Sequence, residues 1–234
     1  MKAIGFSTGA LALGDFRTGI EMLSSSKANA IELSALRDKE LRPLIDAIED
    51  LDLSSFTYRS THAPTDFSDE RSVVVLLEQL AARMMNVVVH PDTIKTPALW
   101  RGLGERLCIE NMDSRKRTGR TVEELESIFE ALPKARLCFD VGHARQVDPT
   151  MTEALRIIRR FGERLAEVHL SEVDSAGGHH PMSRMAVEAF QDIFDMIPDS
   201  TPIIIESTVD EQGVDREIAL ARQLLEGTNP VPIP

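Results

Sequence analysis

A chain of 234 residues with 42% hydrophobic content is long enough for one sizeable core, and a single domain over 1–234 is expected. The formal net charge of -12 disfavours broad, non-specific binding to a phosphate backbone, so nucleic acid is not an expected partner. Two cysteines, Cys108 and Cys138, exclude a disulfide framework and fit a reducing compartment, and no run approaches the ~18 apolar residues of a membrane span.

The N-terminal stretch MKAIGFSTGALALG has the outline of a signal peptide. Gly, Ser and Thr interrupt its apolar run, however, and no cleavage site precedes Asp15 and Arg17. It reads as a first strand with its loop, and the cytoplasm is the expected location. Short apolar runs then recur along the chain at 3–6, 30–33, 56–62, 86–90, 106–110, 135–140, 166–170 and 202–206. Each has the length of a buried strand, and several are rich in Val and Ile.

Helical periodicity fills the intervals. In TVEELESIFEAL, Thr121 and Glu124 form a capping box, and Val122, Leu125, Ile128, Phe129 and Leu132 share a face. After Asp148-Pro149, a stripe of Leu155, Ile158, Phe161 and Leu165 predicts another helix. Further helices are expected at 40–50, 69–84, 186–197 and 216–226, with a weaker one at 98–105. Pro43 is tolerable if it stands in a first turn. Residues from about 228 to 234, TNPVPIP, read as a loose tail.

Strands alternating with helices predict an α/β fold with a parallel sheet. Eight such units in one chain of this length predict closure into a (β/α)8 TIM barrel. A doubly wound open sheet would more often carry a Gly-rich phosphate loop after its first strand, and GxGxxG is absent.

Active sites of such barrels lie at the C-terminal ends of the strands. From the second strand onward those ends read Glu32, His62, His90, Glu110, Asp140, His169 and Glu206. Asp, Glu and His together make up 38 plus 6 of 234 residues, about one in five, so seven strand ends of eight is a strong enrichment. His143 follows the sixth strand, with Gly142 placed to turn the chain, and His179 and His180 follow the seventh. All six histidines therefore fall on one face. Carboxylates and imidazoles suit a divalent metal such as Mn, Zn, Co, Fe or Mg, and thiolate ligation is not indicated. Cys108 and Cys138 lie two residues before strand ends and point inward one layer deeper, as core thiols.

The segments THAP (61–64), VVHPD (88–92), CIENMD (108–113), CFDVGHAR (138–145), VHLSE (168–172), HHPM (179–182) and IIIES (203–207) resemble the xylose isomerase-like TIM-barrel superfamily. That group includes sugar isomerases and epimerases, dehydratases of related polyols, and endonuclease IV. The resemblance implies one divalent metal held by Glu110, Asp140, His169 and Glu206. It also implies that Glu110 and Glu206 move a proton through a metal-stabilised enediolate of a small sugar-like hydroxy-carbonyl substrate.

In endonuclease IV further ligands build a three-zinc cluster, and His62, His90, His143 and His179 match them. They are thus second-metal or substrate residues, with two or three ions as the alternative to one. The endonuclease pattern has an Asp two residues before the His matching His179, and here that position is Gly177. Phosphodiester hydrolysis and a non-catalytic metal or ligand binder are the competing readings.

Three ligand carboxylates against one divalent ion leave a site suited to a neutral polyol. The loop SRKRTGR (114–120) carries four basic residues that would clamp an anionic substrate through Arg115 and Arg117. Glu32 and Arg145 are weaker substrate-binding candidates, and Arg145 and Arg184 are also candidates to pair with the ligand carboxylates. A homo-oligomer is left open.

Overall fold

The computed structural model describes residues 2–226, so the tail expected near 228–234 lies outside the described residues. Eight strands close a parallel barrel: β1 (Ile4–Ser7), β2 (Ala30–Ser34), β3 (Tyr58–His62), β4 (Asn86–Val89), β5 (Leu107–Glu110), β6 (Arg136–Asp140), β7 (Leu165–Leu170) and, after a small hairpin, β10 (Ile203–Ile205). Their order round the barrel is β1-β10-β7-β6-β5-β4-β3-β2, so β1 closes on both β2 and β10. All eight strands expected from the apolar runs are present. The hairpin, β8 (Glu172–Val173) and β9 (His179–His180), is antiparallel and belongs to the loop after β7.

The helices are α1 (Thr8–Ala12), α2 (Phe16–Leu23), α3 (Asp38–Ala47), α4 (Glu70–Ala82), α5 (Pro97–Trp100), α6 (Val122–Ala131), α7 (Val141–Val147), α8 (Thr152–Phe161), α9 (Arg184–Phe194) and α10 (Glu211–Glu226). None among the described residues is long and apolar enough to cross a membrane. Three of them, α1, α2 and α7, were not legible as helices. Two are short, and α7 begins on the Asp140 that reads as a strand end.

Local differences have physical causes. The α6 cap is shifted by one residue: Thr121 accepts from the Glu124 amide, but the Glu124 carboxylate takes the Arg120 N–H at 2.7 Å. Helix α3 starts two residues earlier than expected, which puts Pro43 inside the helix rather than in its first turn. Leu165 opens β7 instead of continuing the α8 stripe. A 3-10 turn at Gly162–Arg164 intervenes, and the buried face of α8 is Ala154, Ile157, Ile158 and Phe161.

The core has two parts. The larger lies between strands and helices and contains Phe6, Leu33, Trp100, Leu125, Phe139 and Phe190. The smaller, Val88, Cys108, Cys138 and Ala166, fills the barrel interior. Both thiols are free and fully buried there. Successive strand residues alternate between the two parts. The lumen also holds Glu32, Ser60, Glu167 and His169, each 0% exposed, and buried polar groups are the informative exceptions in a core.

Candidate metal and active site

Parallel strands end on the same rim, and that delivers the strand-end residues to one place. Glu110 sits at its centre. One carboxylate oxygen lies 3.2 Å from His62 Nε2 and 3.1 Å from His90 Nε2. The other lies 3.3 Å from His143 Nδ1 and 3.5 Å from His169 Nδ1. Glu206, one residue past β10, approaches His169 Nδ1 at 3.4 Å and His179 Nδ1 at 3.5 Å. The structure thus brings together all eight residues of the two expected ligand sets.

Backbone and small polar groups orient the imidazoles. His62 Nδ1 bonds the Ala63 carbonyl at 2.9 Å, His143 Nδ1 the Asn111 carbonyl at 3.0 Å, and His179 Nδ1 the Ser171 hydroxyl at 2.9 Å. The opposite nitrogen of His143 and of His179 remains for a ligand, and that of His62 faces Glu110. Asp140 caps α7, its Oδ1 accepting the His143 amide at 2.6 Å. Asn111 clamps the same strand end, accepting from the Asp140 amide and donating to its carbonyl, both at 2.8 Å.

The turn expected at Gly142 is therefore the first turn of a helix. Glycine is required there by packing: a Cβ would stand 2.5 Å from the Ser171 carbonyl oxygen and 2.7 Å from Val173 Cγ2.

Charge is concentrated and buried. Burial would raise Glu110, but His90, His143, His169 and His62 hold it well below the usual carboxylate range. Burial pushes Asp140 up to about 6, against the pull of His143 and with the repulsion of Glu206 and Glu110. Burial would also depress His143, yet Asp140, Glu110 and Glu206 raise it to about 10.

The donor set fits a divalent cation. One ligand atom from each of Glu110, Asp140, His169 and Glu206 lies within 4.8 Å of the others, close to the span set by bonds of ~2.0–2.2 Å to a shared ion. Asp140 Oδ2 and both nitrogens of His169 are buried without a hydrogen-bond partner, and such atoms call for an explanation in a native interior. His62, His90 and Glu110 form a second group of the same compactness. Cys138 Sγ approaches His169 and Glu167 from below the first group.

A cavity of about 540 Å³ opens above the site. Glu110, Glu206, His62, His90, His143 and His179 line one side, and Gly9, Ala10, Leu13 and Leu36 the other. Asp140 and His169 are 0% exposed and lie behind the wall.

Of the basic loop, Arg115 and Lys116 reach the wall and Arg117 does not. Neither is a free cation: Arg115 is paired with Asp113 at 2.8 Å and Lys116 with Asp92 at 2.8 Å. Gly177, at φ +77, lies under Arg115, whose guanidinium would meet a Cβ there at 1.8 Å and donates to the Ala176 carbonyl. A guanidinium thus occupies the space a side chain at 177 would need.

The weaker candidates fall elsewhere. Glu32 lies beneath His169 rather than on the cavity wall, because β2 points it into the lumen. Arg145 pairs with Glu172 at 2.9 Å and Arg184 with Glu188 at 2.8 Å, so neither serves the ligand carboxylates. His180 is exposed and bonded to Asp174. Trp100 is core, its indole donating to Glu70 at 2.8 Å.

Sequence reasoning missed Asn111, Asp113 and Glu167. The first two stand in CIENMD just past a strand end, and Glu167 lies two residues before His169 on the same inward face. Spacing alone was the available signal for them.

Residues 19–226 match the family model described as xylose isomerase-like TIM barrel, and the chain belongs to that family. No curated protein matches the sequence. Among solved structures, endonuclease IV from Thermus thermophilus is 18% identical, with 97% of this chain and 100% of that one covered at a TM-score of 0.63. An L-ribulose 3-epimerase is 16% identical over 97% of this chain and 95% of its own, at 0.65. A xylose isomerase-like TIM barrel protein from Mycobacterium smegmatis in complex with magnesium is 10% identical over 97% and 98%, at 0.60. At these identities the likeness is one of fold, and one such fold carries several chemistries.

Proposed function

We propose that this chain is a divalent-metal-dependent isomerase or epimerase of a small hydroxy-carbonyl compound. The observation that carries the reading is the division of the four ligand candidates. Glu110 and Glu206 reach the cavity wall, whereas Asp140 and His169 do not. Two carboxylates facing the substrate from β5 and the end of β10 form a proton-moving pair. One would take the proton from the carbon beside the carbonyl, and the other would return a proton to the opposite face of that carbon or to its neighbour, so that none is gained or lost. Against burial, the surrounding imidazoles keep both carboxylates well below their ordinary range, His90 and His143 foremost for Glu110 and His169 and His179 for Glu206.

When bound, a divalent cation supplies Lewis-acid polarisation of the carbonyl and a template for the adjacent hydroxyl. Oxygen and imidazole donors suit Mn, Zn, Co, Fe or Mg. The substrate is a polyol or sugar, and an anionic group on it would meet Arg115 and Lys116 on the wall in competition with Asp113 and Asp92. Metal-assisted phosphodiester hydrolysis is the second reading, favoured by the His62, His90 and Glu110 group. The chain charge of -12 and the guanidinium seated at Gly177 weigh against it.

The test begins with metal content per chain, by elemental mass spectrometry on protein purified without chelator. About one ion, followed by deuterium uptake from solvent at the substrate α-carbon over a sugar panel, supports isomerisation. Glu206→Gln should reduce that exchange at least ~100-fold, the usual scale of a general base. Two or three Zn or Fe ions with cleavage of an abasic-site duplex would replace the first reading by the second.

A further inference from the structure

Below the candidate metal site, the barrel lumen holds carboxylates that the proposed reaction does not use. Glu32, on β2, is 0% exposed, and neither of its oxygens has a hydrogen-bond partner. Glu167, on β7, is also 0% exposed. Its Oε2 accepts from the Tyr58 hydroxyl at 2.6 Å, which in turn accepts from Asn86 at 2.9 Å, and its Oε1 has no partner. Burying an unpaired carboxylate is among the costlier arrangements in a protein interior, so its retention calls for a use.

Both carboxylates face one group. His169 Nε2 lies 3.2 Å from Glu32 Oε2 and 3.8 Å from Glu167 Oε1. The other ring nitrogen, Nδ1, faces upward to Glu206 at 3.4 Å and Glu110 at 3.5 Å. A neutral imidazole has one N–H and one lone pair, and only the nitrogen with the lone pair binds a metal. Which nitrogen that is depends on what the other one meets. The nearest acceptor to Nε2 is Glu32. Glu167 is farther away and has one oxygen committed to Tyr58.

We infer that Glu32 is a positioning residue for His169: it holds the ring proton on Nε2 and thereby directs the Nδ1 lone pair at the cation. The ring N–H is not aligned on the carboxylate in this structure, and at 3.2 Å a change of ring orientation alone completes the bond. The inference rests on the metal reading above and assigns Glu32 a role without contact to substrate. The two roles separate in the readouts: a positioning residue moves metal affinity and the His169 Nε2–H bond, and a purely structural one moves the stability of the metal-free protein.

The experiment compares Glu32→Leu and Glu32→Gln with wild type, and uses Cys108→Ala as a lumen change that leaves Glu32 and His169 in place. Three quantities are read: Mn affinity by competition with a chromophoric chelator, Tm of the metal-free protein, and the His169 Nε2–H resonance of the metal-free protein by 15N–1H NMR. Expected for Glu32→Leu are Mn binding weakened ~10–100-fold, a metal-free Tm near wild type, and loss of the hydrogen-bonded Nε2–H resonance that wild type carries. Glu32→Gln, whose amide oxygen still accepts the proton, should lose less, and Cys108→Ala should leave Mn affinity unchanged.

Unchanged Mn affinity in Glu32→Leu would overturn the inference. So would a loss of affinity matched by a fall in metal-free Tm, which marks a structural role. Loss of one whole ion per chain, with the remaining affinity intact, would instead assign a cation to the lumen carboxylates themselves. If wild type takes up no Mn, the functional reading fails, and the presence or absence of the Nε2–H bond to Glu32 in metal-free protein still decides the role of Glu32.

Discussion

Asp113 and Arg115 pair on the cavity wall at 2.8 Å. Asp113 is 1% exposed, and its side chain receives the Arg115 Nε and a second guanidinium nitrogen at 2.9 and 2.8 Å. Burial would raise its carboxyl, but Arg115 lowers it to about 2. A depressed acid contributes stability that is present above the ordinary carboxylate range and lost as pH falls through about 2. Arg115→Met should therefore lower stability at neutral pH by about 1 kcal/mol, discounted because the guanidinium is half exposed. The gap from wild type should close between roughly pH 4 and 2 in urea titrations; a gap constant with pH would show that packing, not charge, is lost. The same variant should raise KM more for an anionic than for a neutral substrate. Arg117→Met should leave both unchanged, since Arg117 is off the wall.

At the scale of single elements, α7 and α10 carry the sharpest expectations. Gly142→Ala would gain up to ~1 kcal/mol of helix propensity, yet its Cβ would meet backbone oxygen of Ser171 at 2.5 Å. Overpacking of that kind typically costs ~1–3 kcal/mol. A net loss of stability is expected in denaturant melts, and a gain would mean that the loop after β7 yields freely.

In α10, Glu217 accepts from Ser207 Oγ at 2.7 Å and the Met182 amide at 3.2 Å, with its other oxygen unpartnered. Burial raises its carboxyl above the ordinary value. A raised acid costs stability as pH climbs from the unfolded-state value through the folded one. Glu217→Gln should thus raise Tm at pH 7–8 and change it little near pH 4. An equal effect at both would mean that the charge is not at issue.

These elements also mark the limit of what periodicity reveals. The capping Thr121 and the apolar face of α6 were legible because they repeat at helical spacing. Helix α7 was not, because Asp140 serves at once as the end of β6 and the cap of the next helix. The apolar rows of β4, β5 and β6 were plain for the same reason that α6 was. Glu32, read as the end of the second row, stands instead in the middle of β2, which runs on to Ser34, and points into the lumen.

For the whole molecule, a cation at the proposed site would tie fold stability to metal occupancy. A cation held at 100 times its Kd adds about 2.7 kcal/mol to the folded state. For a chain of this size that is roughly 5–10 °C in Tm. Exhaustive chelation should lower the midpoint by about that amount, with recovery on returning Mn or Zn; an unchanged melt would remove the cation from the account of stability.

What the amino-acid order determined by itself was the set of strands, the barrel, and the residues at the strand ends. Each follows from local rules, since a short apolar run buried on both faces makes a strand, alternation with helices makes it parallel, and parallel strands end on one rim. Only the tertiary structure decided which of those residues face the cavity and which face the lumen. It also decided that the loop cations are tied to Asp113 and Asp92, and that Arg115 lies over Gly177. Those relations join residues from different strands and loops, and distance across a closed barrel is not a function of spacing along the chain.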